Sequence, residues 1–119
     1  MLSENTTSER RFFIYMTLGL KKFSIKEASK LFVGAWNPKD LVTIGDRVFR
    51  VAEFLGAYGD KLHVHEYDEF FLVIDGSIQI KTGDEMLGLE TLEGIVIPAG
   101  VEHQPYAANS ALVLMLDKK

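Results

Sequence analysis

From residue 39 to its end, the chain offers no helical periodicity. It carries short β-branched and aromatic runs, each closed by a glycine-containing turn. Asn37-Pro38 marks a turn, after which strands are expected over Leu41 to Ile44, Arg47 to Phe54, Leu62 to His65 and Glu69 to Ile74. Asp75-Gly76 reads as a two-residue hairpin turn of the primed type, with Ser77 to Lys81 as the return strand. Thr82-Gly83-Asp84 turns again, and Glu85 to Leu89, Gly94 to Ile97 and Ala111 to Leu116 complete the series. Strands this short and regular cannot bury an apolar face singly. They predict an antiparallel sandwich or closed barrel, an all-β fold.

The first part of the chain differs. Arg11 to Leu20 is aromatic and β-branched enough for one more strand. Arg10-Arg11-Phe12-Phe13-Ile14 loosely matches a twin-arginine export signal. The apolar run that follows is short, ends at Lys21-Lys22 and has no small-residue cleavage site, so it reads instead as a strand covering the barrel or a partner subunit. Ser24-Ile25-Lys26-Glu27 is a capping-box pattern, and Ile25, Ala28, Leu31 and Phe32 recur at helical spacing before Gly34. One short helix over 25–33 is predicted. The chain thus divides into an N-terminal strand and helix over 1–39 and a barrel over 40–119.

With 119 residues and a hydrophobic share of 47%, the chain can build one ordinary core. A net charge of −4 with interspersed signs leaves no basic patch for nucleic acid, and no segment suits a bilayer. The expected setting is the cytoplasm. There are no cysteines, so any metal must rest on nitrogen and oxygen donors.

The three histidines can all serve one such site. His63 and His65 stand two apart, which on a strand turns both imidazoles to one face. Glu69 opens the next strand, where its carboxylate can close on the same point. His103 lies forty residues after His63, just beyond the turn Pro98-Ala99-Gly100.

These stretches resemble a known family. Gly59-Asp60-Lys61-Leu62-His63-Val64-His65-Glu66-Tyr67-Asp68-Glu69, with Gly76 after six further residues, is similar to the first cupin motif. Ile97-Pro98-Ala99-Gly100-Val101-Glu102-His103 is similar to the second. The run from Asp68 to Val73, with His103-Gln104-Pro105, resembles small cupins labelled mannose-6-phosphate-isomerase-like. The resemblance covers about residues 40–117 and implies a double-stranded β-helix, or jelly-roll, barrel. It also implies that His63, His65, Glu69 and His103 bind one divalent transition metal ion, whether Fe, Mn, Ni, Co or Zn. The chain departs from the family at turns: Ala57 replaces a glycine of the first motif, Leu92-Glu93 stands where Gly-Asp is usual, and Ala107 replaces an asparagine.

Around the ion, Lys61 is in phase with the histidine pair, and Gln104 and Tyr106 are candidates to hold His103. Phe71, Val73, Val96 and Ile78 are expected to line the cavity, with Gln79, opposite Leu72 in the expected hairpin, facing away. Phe70, Leu72 and Ile74 form a second apolar face with no obvious cover, which predicts a homodimer. The function implied is a metal-dependent enzyme on a small molecule, of dioxygenase, decarboxylase or isomerase type. A non-enzymatic module binding a small molecule or the metal alone is the alternative.

Overall fold

The computed structural model describes residues 18–119. The strand expected over Arg11 to Leu20 lies outside the described residues, apart from its last three, which form a turn. The helix α1 (Ile25–Ser29) starts where expected: Ser24 is extended, and its hydroxyl accepts from the Glu27 N–H at 3.1 Å. It ends at Ser29 rather than 33. Leu31 and Phe32 close it with hydrogen bonds to Ala28 and Ser29, three residues back. Gly34 and Trp36 then take positive φ, which delivers the Trp36 N–H to the Glu53 carbonyl at 2.8 Å. Tertiary pairing wins over the apolar periodicity there.

Seven strands follow: β1 (Lys39–Ile44), β2 (Arg47–Ala57), β3 (Glu69–Asp75), β4 (Ile78–Lys81), β5 (Met86–Leu89), β6 (Gly94–Ile97) and β7 (Gln104–Lys118). Every pairing is antiparallel, in the order β1-β2-β7-β3-β6, with β4 on both β5 and β7. The long β7 organises the barrel. Its first residues, Gln104 to Tyr106, pair with β4, while Leu112 to Leu116 pair with β3. Along its other edge β2 follows it through both halves, with a bulge where Phe54 opposite Ala111 gives way to Gly56 opposite Ala107. One strand therefore serves two facing layers. Their inward rows, Ala52 and Phe54, Phe71 and Val73, Ile78 and Ile80, and Ala111 and Val113, make one buried core with Leu89 and Ile97.

Two local expectations are corrected. β3 and β4 do not form a hairpin: Ile78 sits opposite Leu89 rather than Val73, and Gln79 opposite Gly88 and Tyr106 rather than Leu72. Only Gly76 of the supposed turn has positive φ, at 99°. A Cβ there would come within 3.0 Å of Ala111, so the chain passes tightly across β7 into the other layer. Thr91 secures the crossing, its hydroxyl donating to the Gly76 carbonyl at 2.9 Å and accepting its N–H at 3.1 Å. The strand expected over Leu62 to His65 is a single bridge between His63 and His103.

Leu92, where the family pattern has glycine, adopts φ 70° while 74% exposed. A Cβ in the left-handed region costs more than the entropy glycine loses, and little burial is at stake. Leu92→Gly is expected to stabilise the fold by about 0.5–1 kcal/mol, read as a higher denaturant midpoint at unchanged m-value.

Candidate metal centre

Two loops meet at the mouth of the barrel. His63 and His103 exchange both backbone hydrogen bonds, each at 2.9 Å. Directly opposed residues of an antiparallel bridge turn their side chains the same way, and the two rings lie 5.3 Å apart. The turn before His103 is tied to the first loop as well. The Gly100 N–H donates to the His65 carbonyl at 3.0 Å, and the Ala99 N–H to Asp68 Oδ1 at 3.0 Å. Gly100 has φ 86°, a conformation that suits glycine and aims the following residues back toward the barrel.

These ties bring together three side chains. His65, Glu69 and His103 each offer one ligand atom, all within 4.8 Å of one another. His103 Nε2 lies 2.7 Å from Glu69 Oε1, and His65 Nε2 lies 3.5 Å from the same oxygen. An ion bonded at about 2.0–2.2 Å to each of two donors needs them within roughly 4.4 Å, so small side-chain adjustments suffice. His103 Nδ1 donates to the Val101 carbonyl at 2.9 Å, leaving Nε2 with the free electron pair. His103 and Glu69 are both buried. The chemistry of the donor set, two imidazoles and a carboxylate, fits a divalent transition metal ion.

His63 stands outside that trio. Its ring is 6.0 Å from His65 and edge-on to Tyr58 at 5.0 Å, and its Nδ1 faces the Lys61 carbonyl at 3.3 Å. It borders the same cavity as the other two side chains of the first loop.

Burial alone would lower the His103 pKa, but the hydrogen bond to Glu69, the Val101 carbonyl and the charge of Glu69 outweigh it and raise the value. Protonation of His103 Nε2 and metal binding would use the same electron pair, so the two compete.

A cavity of about 220 Å³ opens beside the trio. That is below the roughly 300–1,000 Å³ of sites for drug-sized molecules, so its occupant is small. Its walls are aromatic: Trp36 packs on Phe54 at 4.4 Å and on Tyr58 at 5.0 Å, and Phe54 meets Phe71 edge-on at 5.5 Å. Trp36 holds φ 62° and donates Nε1–H to the Leu55 carbonyl at 2.9 Å. One charged pair also lines it. Arg50 donates to Asp40 at 2.7 Å and to the buried Asp117 at 3.0 Å.

Of the other expected pocket residues, Phe71 lines this cavity. Lys61 is exposed and off it, at a point where the chain bends rather than running as a strand. Gln104 donates to the carbonyls of Tyr58 at 3.3 Å and Gly59 at 2.9 Å, so it pins the loop leading to His63 and does not touch His103. Tyr106 and Ile78 border a different, smaller cavity with Gln79 and Glu90, because β4 pairs with β7 instead of β3. Val96 is 59% exposed and opposite Phe70, hence on the outer face.

Arg50, Asp117, Trp36 and Tyr58 did not emerge from the sequence. A signal existed for two of them. Arg50 is in phase with Ala52 and Phe54, and Asp117 with Val113 and Met115, so each strand carries one charge on its inward row.

A family model, the cupin domain, matches residues 42–117. No curated protein matches the chain. Among solved structures, a cupin-2 domain protein from Shewanella frigidimarina is similar at 29% identity and TM-score 0.76, over 81% of this chain and 93% of that one. Protein NMB1881 from Neisseria meningitidis is similar at 20% identity and TM-score 0.73, over 83% of this chain and 100% of that one. Hydroquinone 1,2-dioxygenase from a Sphingomonas species has TM-score 0.71 at 15% identity, over 99% of this chain but 36% of its own. With the jelly-roll topology, the paired loops of the two motifs and the matched family model, the chain belongs to the cupin family.

Proposed function

We propose that this protein is a metal-dependent enzyme acting on a small molecule, with the ion held by His65, Glu69 and His103 and with His63 as fourth ligand. The observation that carries the reading is the convergence of three donor atoms within 4.8 Å beside an aromatic-walled cavity. When bound, the ion would supply Lewis-acid polarisation of a ligand oxygen, which suits dioxygenase, decarboxylase or isomerase chemistry. The cavity's residues contribute exclusion of water and orientation of a flat ligand between Trp36, Phe54 and Phe71. Catalysis of these kinds also calls for a group that can carry a proton beside the ion. Asp117 on the cavity wall supplies a carboxyl of that kind, and burial pushes its pKa up despite Arg50.

The test is elemental analysis after reconstitution with Fe²⁺, Mn²⁺, Co²⁺, Ni²⁺ and Zn²⁺ in turn. Close to one ion per chain is expected with at least one of them. Substoichiometric uptake of all would remove the reading.

The protein is also proposed to work as a homodimer. Phe70, Leu72 and Ile74 share the outer face with Leu114, Leu116 and the exposed Val96, a continuous apolar surface of β3, β6 and β7. Light scattering at micromolar concentration should give twice the chain mass of 13.4 kDa. A monomer would show that this face needs no second copy. No helix among the described residues is long and apolar enough to cross a membrane.

A further inference from the structure

Asp117 is the least expected side chain in the barrel. Alternation along β7 turns it inward with Val113 and Met115, and it is 7% exposed. Arg50 Nη1 donates to Oδ2 at 3.0 Å, but Oδ1 has no hydrogen-bond partner among the described residues. A carboxylate oxygen can accept more than one hydrogen bond, so Oδ1 is available to water or to a ligand donor. Asp117 lines the same cavity as His65 and Glu69, so a donor entering that cavity can meet it.

The neighbourhood narrows what that donor is. Arg50 is shared by Asp40 and Asp117, so the cluster keeps one net negative charge that repels an arriving anion. A cation would have to shed its hydration to enter the aromatic-walled cavity. An uncharged hydroxyl meets no such cost. A carboxylate arriving there would face a buried carboxylate, a pairing that cannot hold two negative charges without loss. The aromatic walls of Trp36, Phe54, Tyr58 and Phe71 favour a flat body for the molecule.

We propose that Asp117 Oδ1 is the acceptor for a hydroxyl of the molecule that occupies the cavity, so that the site takes small, flat hydroxy compounds and rejects dicarboxylates. This rests on the metal reading only for the far end of the ligand, where an oxygen donor would approach His65, Glu69 and His103. Discrimination at the near end is assigned to Asp117, held by Arg50.

The probes are benzoates. The three hydroxybenzoates are compared with the three benzenedicarboxylates by ligand-observed NMR, on the protein with and without added Zn²⁺. The best hydroxybenzoate should bind at least about tenfold more tightly than the matching dicarboxylate, as expected when a buried acceptor is met rather than opposed. Asp117→Asn then reads the mechanism. Arginine has only donors, so the new amide must turn its carbonyl oxygen to Arg50 and its NH₂ to the cavity. The acceptor becomes a donor. The preference should vanish or reverse, while zinc content stays that of the parent. Equal binding of the two sets by the parent would overturn the proposal, as would a preference for dicarboxylates or no hydroxybenzoate binding at all. An unchanged preference in a folded variant would overturn it too. If circular dichroism shows the variant unfolded, the parent comparison decides. If the parent takes up no zinc, the metal reading fails by itself, and the order of the two ligand sets on the same protein still judges Asp117.

Discussion

His103→Ala should lose more than about a hundredfold in metal affinity, since even partners behind a ligand contribute 10–100-fold, yet remain folded. His103 comes from the second motif and is fixed on both sides, by Val101 at Nδ1 and by Glu69 at Nε2. Without it, His65 and Glu69 keep two donors and His63 must reorient to add a third. The fold is a separate matter. Removing the ring leaves the buried Glu69, among the described residues, with His65 at 3.5 Å, a loss of about 1–3 kcal/mol against a usual margin of about 5–15 kcal/mol. The backbone bridge from residue 103 to His63 does not involve the side chain and should persist. Metal titration beside a thermal melt measures both effects. Parent-like affinity in the variant would show that His103 is no ligand, and an unfolded variant would make the site structural.

Phe54→Ala is the substitution with the largest expected cost to stability, about 3–5 kcal/mol. Phe54 is 1% exposed and joins the core of both layers to the cavity wall, through Phe71 on one side and Trp36 on the other. The midpoint of denaturant unfolding should fall at unchanged m-value. Leu55, the next residue on β2, points outward and is 45% exposed, so Leu55→Ala should change stability by less than about 1 kcal/mol. Similar losses at the two positions would contradict the inward alternation of β2. The weakened wall should also loosen Trp36, whose positive φ is held by its contacts with Phe54, Glu53 and Leu55.

The fold class was legible in the sequence, and of the four side chains that its motifs offered, His65, Glu69 and His103 bring their donor atoms within 4.8 Å of one another. Period-two alternation with glycine turns admits few all-β solutions, and three histidines in two short motifs left little freedom about which imidazoles a metal could use. Strand order was another matter. Asp75-Gly76 has the local chemistry of a hairpin, but β7 offers inward apolar residues in both its halves and captures β3 with one and β4 with the other. Burial of Phe71, Val73, Ile78 and Ile80 against β7 outweighs a two-residue turn preference, and that burial depends on residues far along the chain, Met115 for Phe71 and Pro105 for Ile80. The charged pair was undecided for the same reason. Alternation shows that Arg50 and Asp117 face inward, but not that they face each other, because β2 and β7 are sixty-seven residues apart at that contact. Register between distant strands is set by the sum of packing over the whole sheet. Only the folded barrel could place the Asp117 carboxylate on one cavity with His63 and His65.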